Sequence, residues 1–104
     1  MVTDVNLRSS AFDVYIGRAG HGQTGEFGNP FIVGRDGARG ECVEKFRTWF
    51  HSNDVAACKM RQLALDRIPA NARLGCFCKP NACHGDVIAA FVNEAHALKS
   101  IGPR

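Results

Sequence analysis

Arg73-Leu74-Gly75-Cys76-Phe77-Cys78-Lys79-Pro80-Asn81-Ala82-Cys83-His84-Gly85-Asp86 is the stretch on which the fold turns. Its first half, Arg73 to Cys78, is a short apolar run of the length of a buried strand. Lys79-Pro80-Asn81 carries turn chemistry. From Asp86 onward, Val87, Ile88, Phe91, Val92, Ala95 and Leu98 recur at helical spacing, the clearest amphipathic pattern in the chain. Strand, turn and helix in direct succession are the working parts of an α/β layer.

Upstream, Phe12 to Arg18 alternates apolar and polar residues and reads as a second strand, with Val14 and Ile16 on one face. Residues 1–11 are short and polar and read as irregular. Between Gly17 and Gly40 lie eight of the eleven glycines, together with Phe27, Phe31, Ile32 and Val33. Such a segment reads as a long functional loop, with Phe31 to Val33 as a short strand inside it. Gly40 to His51 turns helical, with Val43, Phe46 and Phe50 on one stripe and Trp49 at its edge. Asn53-Asp54 offers an N-cap for a helix over about 55–66, with Met60 and Leu63 inward and Pro69 ending it.

The order predicts one small layered α/β domain spanning 1–104. A short, mostly parallel sheet has strands near 13–18 and 73–78 and is flanked by about three helices. The long amphipathic helix should set Val87, Ile88, Phe91, Val92 and Leu98 against Val14, Ile16, Phe46 and Phe50. In such a sheet ligands bind beyond the C-terminal strand ends, here Gly17-Arg18 and Cys78-Lys79.

Composition narrows the class. The chain has 104 residues, 45% hydrophobic and 22% charged, as expected for a soluble globular domain. A net charge of +3 fits an anionic ligand or a nucleic-acid surface. No segment reaches the length of a membrane span, and the N-terminus carries no signal-peptide pattern. The expected location is therefore cytoplasmic, with no membrane partner. In that compartment five cysteines, an odd number, read as metal ligands, reactive thiols or small buried residues rather than disulfides.

Three readings of the Cys76, Cys78, Cys83 and His84 cluster stay open. Zinc accepts thiolate and imidazole ligands, and two cysteines two apart on a strand share a face, although the chain lacks a C-x-x-C knuckle. Alternatively, Cys83 at a helix start is a reactive thiol, assisted by His84 or Lys79 or paired with Cys78. In the third reading the residues pack a strand end against a helix start. Covalent haem is disfavoured by the spacing. Zinc is the cofactor the segment suggests, and no other is expected.

The Gly-rich loop contains Gly20-His21-Gly22-Gln23-Thr24-Gly25, which matches G-x-G-x-x-G in letters. No helix opens after it, so a flexible turn is the expectation. Arg18 with Gly17 at the strand end is the better anion site, with Lys79 across from it. Asn29, extended by the proline after it, either orients a ligand or closes the turn. Trp49, Phe46 and Phe50 read as core, the other arginines as scattered, and His21, His51 and His96 as solvated.

Tyr15-Ile16-Gly17-Arg18, Gly28-Asn29-Pro30-Phe31, Cys76-Phe77-Cys78-Lys79-Pro80 and Cys83-His84-Gly85-Asp86 together resemble a family of small bacterial and phage domains, domain of unknown function four-three-two-six. The resemblance covers about residues 13–93. It implies that Arg18, Asn29, Cys78, Cys83 and His84 belong to one shared site, and it supports the α/β reading. Phe77 stands where the family often has Trp, and Pro69-Ala70-Asn71-Ala72 where it often has a Gly-Lys pair.

The expectation for function is a small-ligand protein, an enzyme in one version, acting on a phosphate-bearing or nucleotide-like molecule. The alternative is a non-enzymatic module that binds nucleic acid or a host protein, with the Cys/His cluster as a structural clip.

Overall fold

The structure is a computed structural model. It describes residues 1–20, 22–23, 25–79 and 81–100, the last two without their side chains. The expected solvated position of His21 therefore lies outside the described residues. Three strands and three helices follow in the order β1 Thr3–Asn6, β2 Val14–Tyr15, α1 Arg39–Phe50, α2 Val55–Arg67, β3 Arg73–Cys76 and α3 His84–Ser100. The sheet order is β1-β3-β2 and both pairings are parallel. The small parallel α/β layer expected from the sequence is thus present, with α1 and α2 forming the crossover from β2 to β3.

Three expectations need correction. Residues 1–11 are not wholly irregular, because Thr3–Asn6 pairs along the whole of β3. The strand near 13–18 is shorter, Val14–Tyr15, since Gly17 and Arg18 beyond Ile16 leave the ladder. No strand forms at Phe31–Val33; the segment turns, with Asp36 Oδ2 accepting from Ile32 N at 2.8 Å.

β1 and β2 both run alongside β3, so residues 7–13 must return across one face of the sheet. Phe12 makes that crossing over Gly75, where a Cβ would come within 2.6 Å of the Phe12 ring. The opposite face carries Asp4, Asn6, Leu74, Cys76 and Ile16 and is covered by the helices. Period-two alternation puts those residues together.

Burial follows the apolar stripes. Phe46 and Phe50 of α1, Ile68, Leu74 and Ile88 and Val92 of α3 are all fully buried. Phe91 sits half-buried, its ring edge-on to Phe50 at 5.3 Å. Leu98, expected inside, is 59% exposed because the last turns of α3 run past the core. Asp54 caps α2 by accepting from Ala56 N and Ala57 N, which satisfies two of the unpaired donors of the first turn. His51 is exposed as expected, whereas His96 is half-buried and reaches the carbonyl of Ile68 at 3.3 Å. Among the described residues, no helix is long and apolar enough to cross a membrane.

Candidate functional site

The ends of β2 and β3 and the start of α3 converge on a cavity of about 360 Å³. Gly17, Arg18, Asn29, Cys76, Cys78, Cys83 and His84, all expected at one site, line it together. Its apolar wall comes from Tyr15, Phe31, Val33 and Phe77. Lys79, the remaining expected ligand-binding residue, faces elsewhere. Its ammonium bonds Asp86 Oδ1 at 2.7 Å and lies 3.4 Å from Asp4 Oδ2.

The loop wall is built by Asn29. Its Oδ1 accepts from Phe31 N at 2.9 Å, closing an Asx turn, and its Nδ2 donates to the Cys42 carbonyl at 3.4 Å. Of the two roles open to Asn29 in the sequence, the structure shows the turn-closing one. Gly20 and Gln23 bond each other, and the next helix does not open until Arg39, so the G-x-G-x-x-G letters lack the following helix of the dinucleotide fingerprint.

Arg18 extends over the loop, its guanidinium 3.4 Å and 3.3 Å from the carbonyls of Asn29 and Phe31. Arg39, at the first position of α1, faces it across the cavity. Among the described residues, no carboxylate pairs with either arginine. The sequence concealed Arg39 because it lies far from both strand ends; only its place at the start of a helix that leaves the Gly-rich loop could have marked it.

His84 holds the two halves together. Its Nε2 lies 2.8 Å from the Ile16 carbonyl and 2.8 Å from the Phe27 carbonyl, so this nitrogen carries the proton and donates to both. Nδ1 is 3.7 Å from Cys83 Sγ. Burial keeps the imidazole pKa below the usual histidine range, against the pull of the two carbonyls.

The three cysteines divide a proton inventory unequally. Cys78 is half-exposed, and hydrogen bonds from Cys76 and then Cys83, with the Arg39 charge behind them, hold its thiol down to about 3. Cys83 goes the other way: the neighbouring Cys76 and Cys78 sulfurs, and burial after them, push its thiol pKa up. Half-exposed and beside the Arg39 charge, Cys78 is favoured to ionise over the buried Cys83, the thiol expected from the helix start.

A group absent from the sequence reading completes the cluster. Asp4 of β1 brings a carboxylate oxygen within 4.8 Å of both Cys76 Sγ and Cys83 Sγ, and this Asp/Cys/Cys group could hold a metal ion. Burial, with Asp86 beside it, raises the Asp4 pKa to about 6 against the opposing charge of Lys79.

The chain is 37% identical over 94 residues to an uncharacterized 12.4 kDa protein in the nrdA-td intergenic region of Enterobacteria phage T4, covering 86% of this chain and 76% of the relative. No solved structure matches it. The family model described as Domain of unknown function (DUF4326) matches residues 3–94, from the first strand of the sheet to the last helix, and the chain belongs to that family.

Proposed function

We propose that the cavity binds a phosphate-bearing, nucleotide-like small molecule. One observation carries the reading: Arg18 and Arg39, without carboxylate partners among the described residues, face a concave site walled by Tyr15, Phe31 and Phe77. Guanidinium groups match phosphate in bidentate geometry, and aromatic walls suit a planar base. The volume lies in the range of small-ligand sites, and the position beyond the strand ends is where α/β sheets bind ligands. Cys78, half-exposed on the cavity floor, is the sulfur placed to touch the ligand.

The burial of Cys76 and Cys83 and the anchored imidazole of His84 favour a second role for the rest of the cluster, as the clip that holds the floor in shape. Zinc, the ion suggested by the cysteine-rich segment, would sit beneath the floor rather than in the mouth of the cavity. Five free cysteines suit a reducing, cytoplasmic setting.

Calorimetry with nucleoside mono- and diphosphates, set against the nucleosides alone, tests the reading. Binding should require the phosphate. Arg18→Ala and Arg39→Ala should each weaken it by about 10- to 100-fold, the worth of one charge-assisted interaction. Equal affinity for nucleoside and nucleotide, or no binding of either, would overturn it.

A further inference from the structure

We propose that Asp4, Cys76 and Cys83 form a zinc-class metal site in which Asp4 takes the place the sequence gives to His84. The inference builds on the zinc reading of the cluster and adds its ligand set and its structural task.

Four observations converge. Asp4, Cys76 and Cys83 already present their ligand atoms within 4.8 Å of one another. Tetrahedral zinc with sulfur at about 2.3 Å separates its sulfurs by roughly 3.8 Å, so only small side-chain adjustments bring these atoms onto one ion. Secondly, Asp4 Oδ2 is buried with no hydrogen-bond partner, on a side chain only 10% exposed. Lys79 Nζ stands 3.4 Å away without an aligned bond. A buried carboxylate oxygen served only by a long, unaligned lysine contact is poorly satisfied, and a metal ion would satisfy it.

Thirdly, the backbone makes room for the carboxylate. A Cβ on Gly85 would lie 3.0 Å from Asp4 Oδ2, so the glycine lets the first turn of α3 close over Asp4 beside Cys83. Fourthly, His84 is otherwise engaged, its Nε2 donating to two carbonyls. Two thiolates and one carboxylate make a set that favours zinc over the hard cations, which prefer all-oxygen shells. The site joins β1, β3, the turn after β3 and the start of α3, so the ion would fasten the cavity floor to the edge strand.

The test uses untagged protein purified reduced from zinc-supplemented cells, in a Cys58→Ser background that removes the exposed thiol. Elemental analysis should find about one zinc per chain. Asp4→Asn should weaken zinc binding by at least the roughly 10- to 100-fold that even outer partners of a metal cost. His84→Gln, whose amide can still donate to the two carbonyls, should keep the zinc. Cobalt substitution provides a second measurement: its thiolate charge-transfer band should weaken by about one half in Cys83→Ser, in proportion to sulfurs lost. Zinc retained by Asp4→Asn and lost from His84→Gln would overturn the ligand set while leaving a metal centre. Wild-type protein without metal from zinc-replete cells would overturn the metal centre itself, and neither result bears on nucleotide binding at the arginines.

Discussion

The floor of the cavity and its rim are built by opposite means. The floor, from Leu74 through Cys76 to Cys83 and His84, is buried and held by parallel strand pairing and the packing of α3. The rim, from Gly17 to Ala38, has no helix or strand among its described residues and depends on local bonds: the Asn29 turn, Asp36 Oδ2 accepting from Ile32 N, and the Lys45 ammonium on the Asp36 carbonyl. Chemistry-bearing groups fall on both sides, sulfur below and guanidinium above. The difference teaches that the floor fixes where a ligand can sit, while the rim can adjust to what the ligand is. His84 is the side chain that spans the two, standing in the floor and bonding Ile16 just before the rim and Phe27 within it.

Substitutions should separate the two regions by size of effect. Phe46 supports the floor from α1, fully buried against Phe50, Trp49 and the His84 ring. Phe46→Ala should lower unfolding stability by about 3–5 kcal/mol in denaturant titrations. A shift below about 1 kcal/mol would show that the core is not where the floor rests. His84→Ala attacks the link. It strips two carbonyls of their donor and leaves a void, for an expected loss of about 2–4 kcal/mol. Hydrogen exchange should quicken across residues 17–38 more than in α3. Uniform quickening would mean that the imidazole is a core residue and not a tether.

Within the rim, two glycines make a graded pair. Gly25 (φ +73°) lies where a Cβ would come within 2.4 Å of Ala19 N, whereas Gly34 (φ +96°) faces open space. Gly34→Ala should cost about 1–2 kcal/mol from backbone strain alone. Gly25→Ala should cost about 1–3 kcal/mol more, because the close backbone must also shift. Equal melting temperatures for the two variants would place the fold of the rim elsewhere.

The smallest effect belongs to the surface. Asp13 accepts from the Arg73 backbone N at 2.8 Å and from its guanidinium at 3.3 Å, and the Arg73 side chain holds its carboxyl below the usual range. A depressed carboxylate pKa contributes stability that is present above the unfolded-state value near 3.8 and lost as pH falls through the folded value. The gap in stability between wild type and Asp13→Asn should therefore shrink as the solution is acidified into that range. A gap that is constant with pH would show that the pair is ornamental.

How legible this was follows the same division. The floor announced itself, because Arg73 to Cys78 is an apolar run and α3 repeats its apolar residues at helical spacing. β1 did not. Its inward positions are Asp4 and Asn6, whose side chains meet the thiols and the Lys79 carbonyl, so polar residues stand where a strand pattern needs apolar ones. The strand was hidden by its own chemistry, as local rules tend to fail at functional positions. The rim showed its glycines but not its turns. Arg39 looked like one scattered arginine among several until α1 brought it to the cavity. The order of the thiols was also out of reach, since it depends on burial and on the Arg39 charge beside Cys78. Helix periodicity overran at Leu98, where the pattern continues after the core has ended.

The claim that floor and rim together make one nucleotide-phosphate site is tested most directly by backbone amide NMR during titration with a nucleoside monophosphate. The account predicts saturable shifts concentrated at Gly17, Arg18, Phe31, Val33, Arg39, Phe77 and Cys78, on both walls, and their loss in Arg18→Ala. Shifts confined to the far side, around α2, or no shifts at saturating ligand, would contradict it.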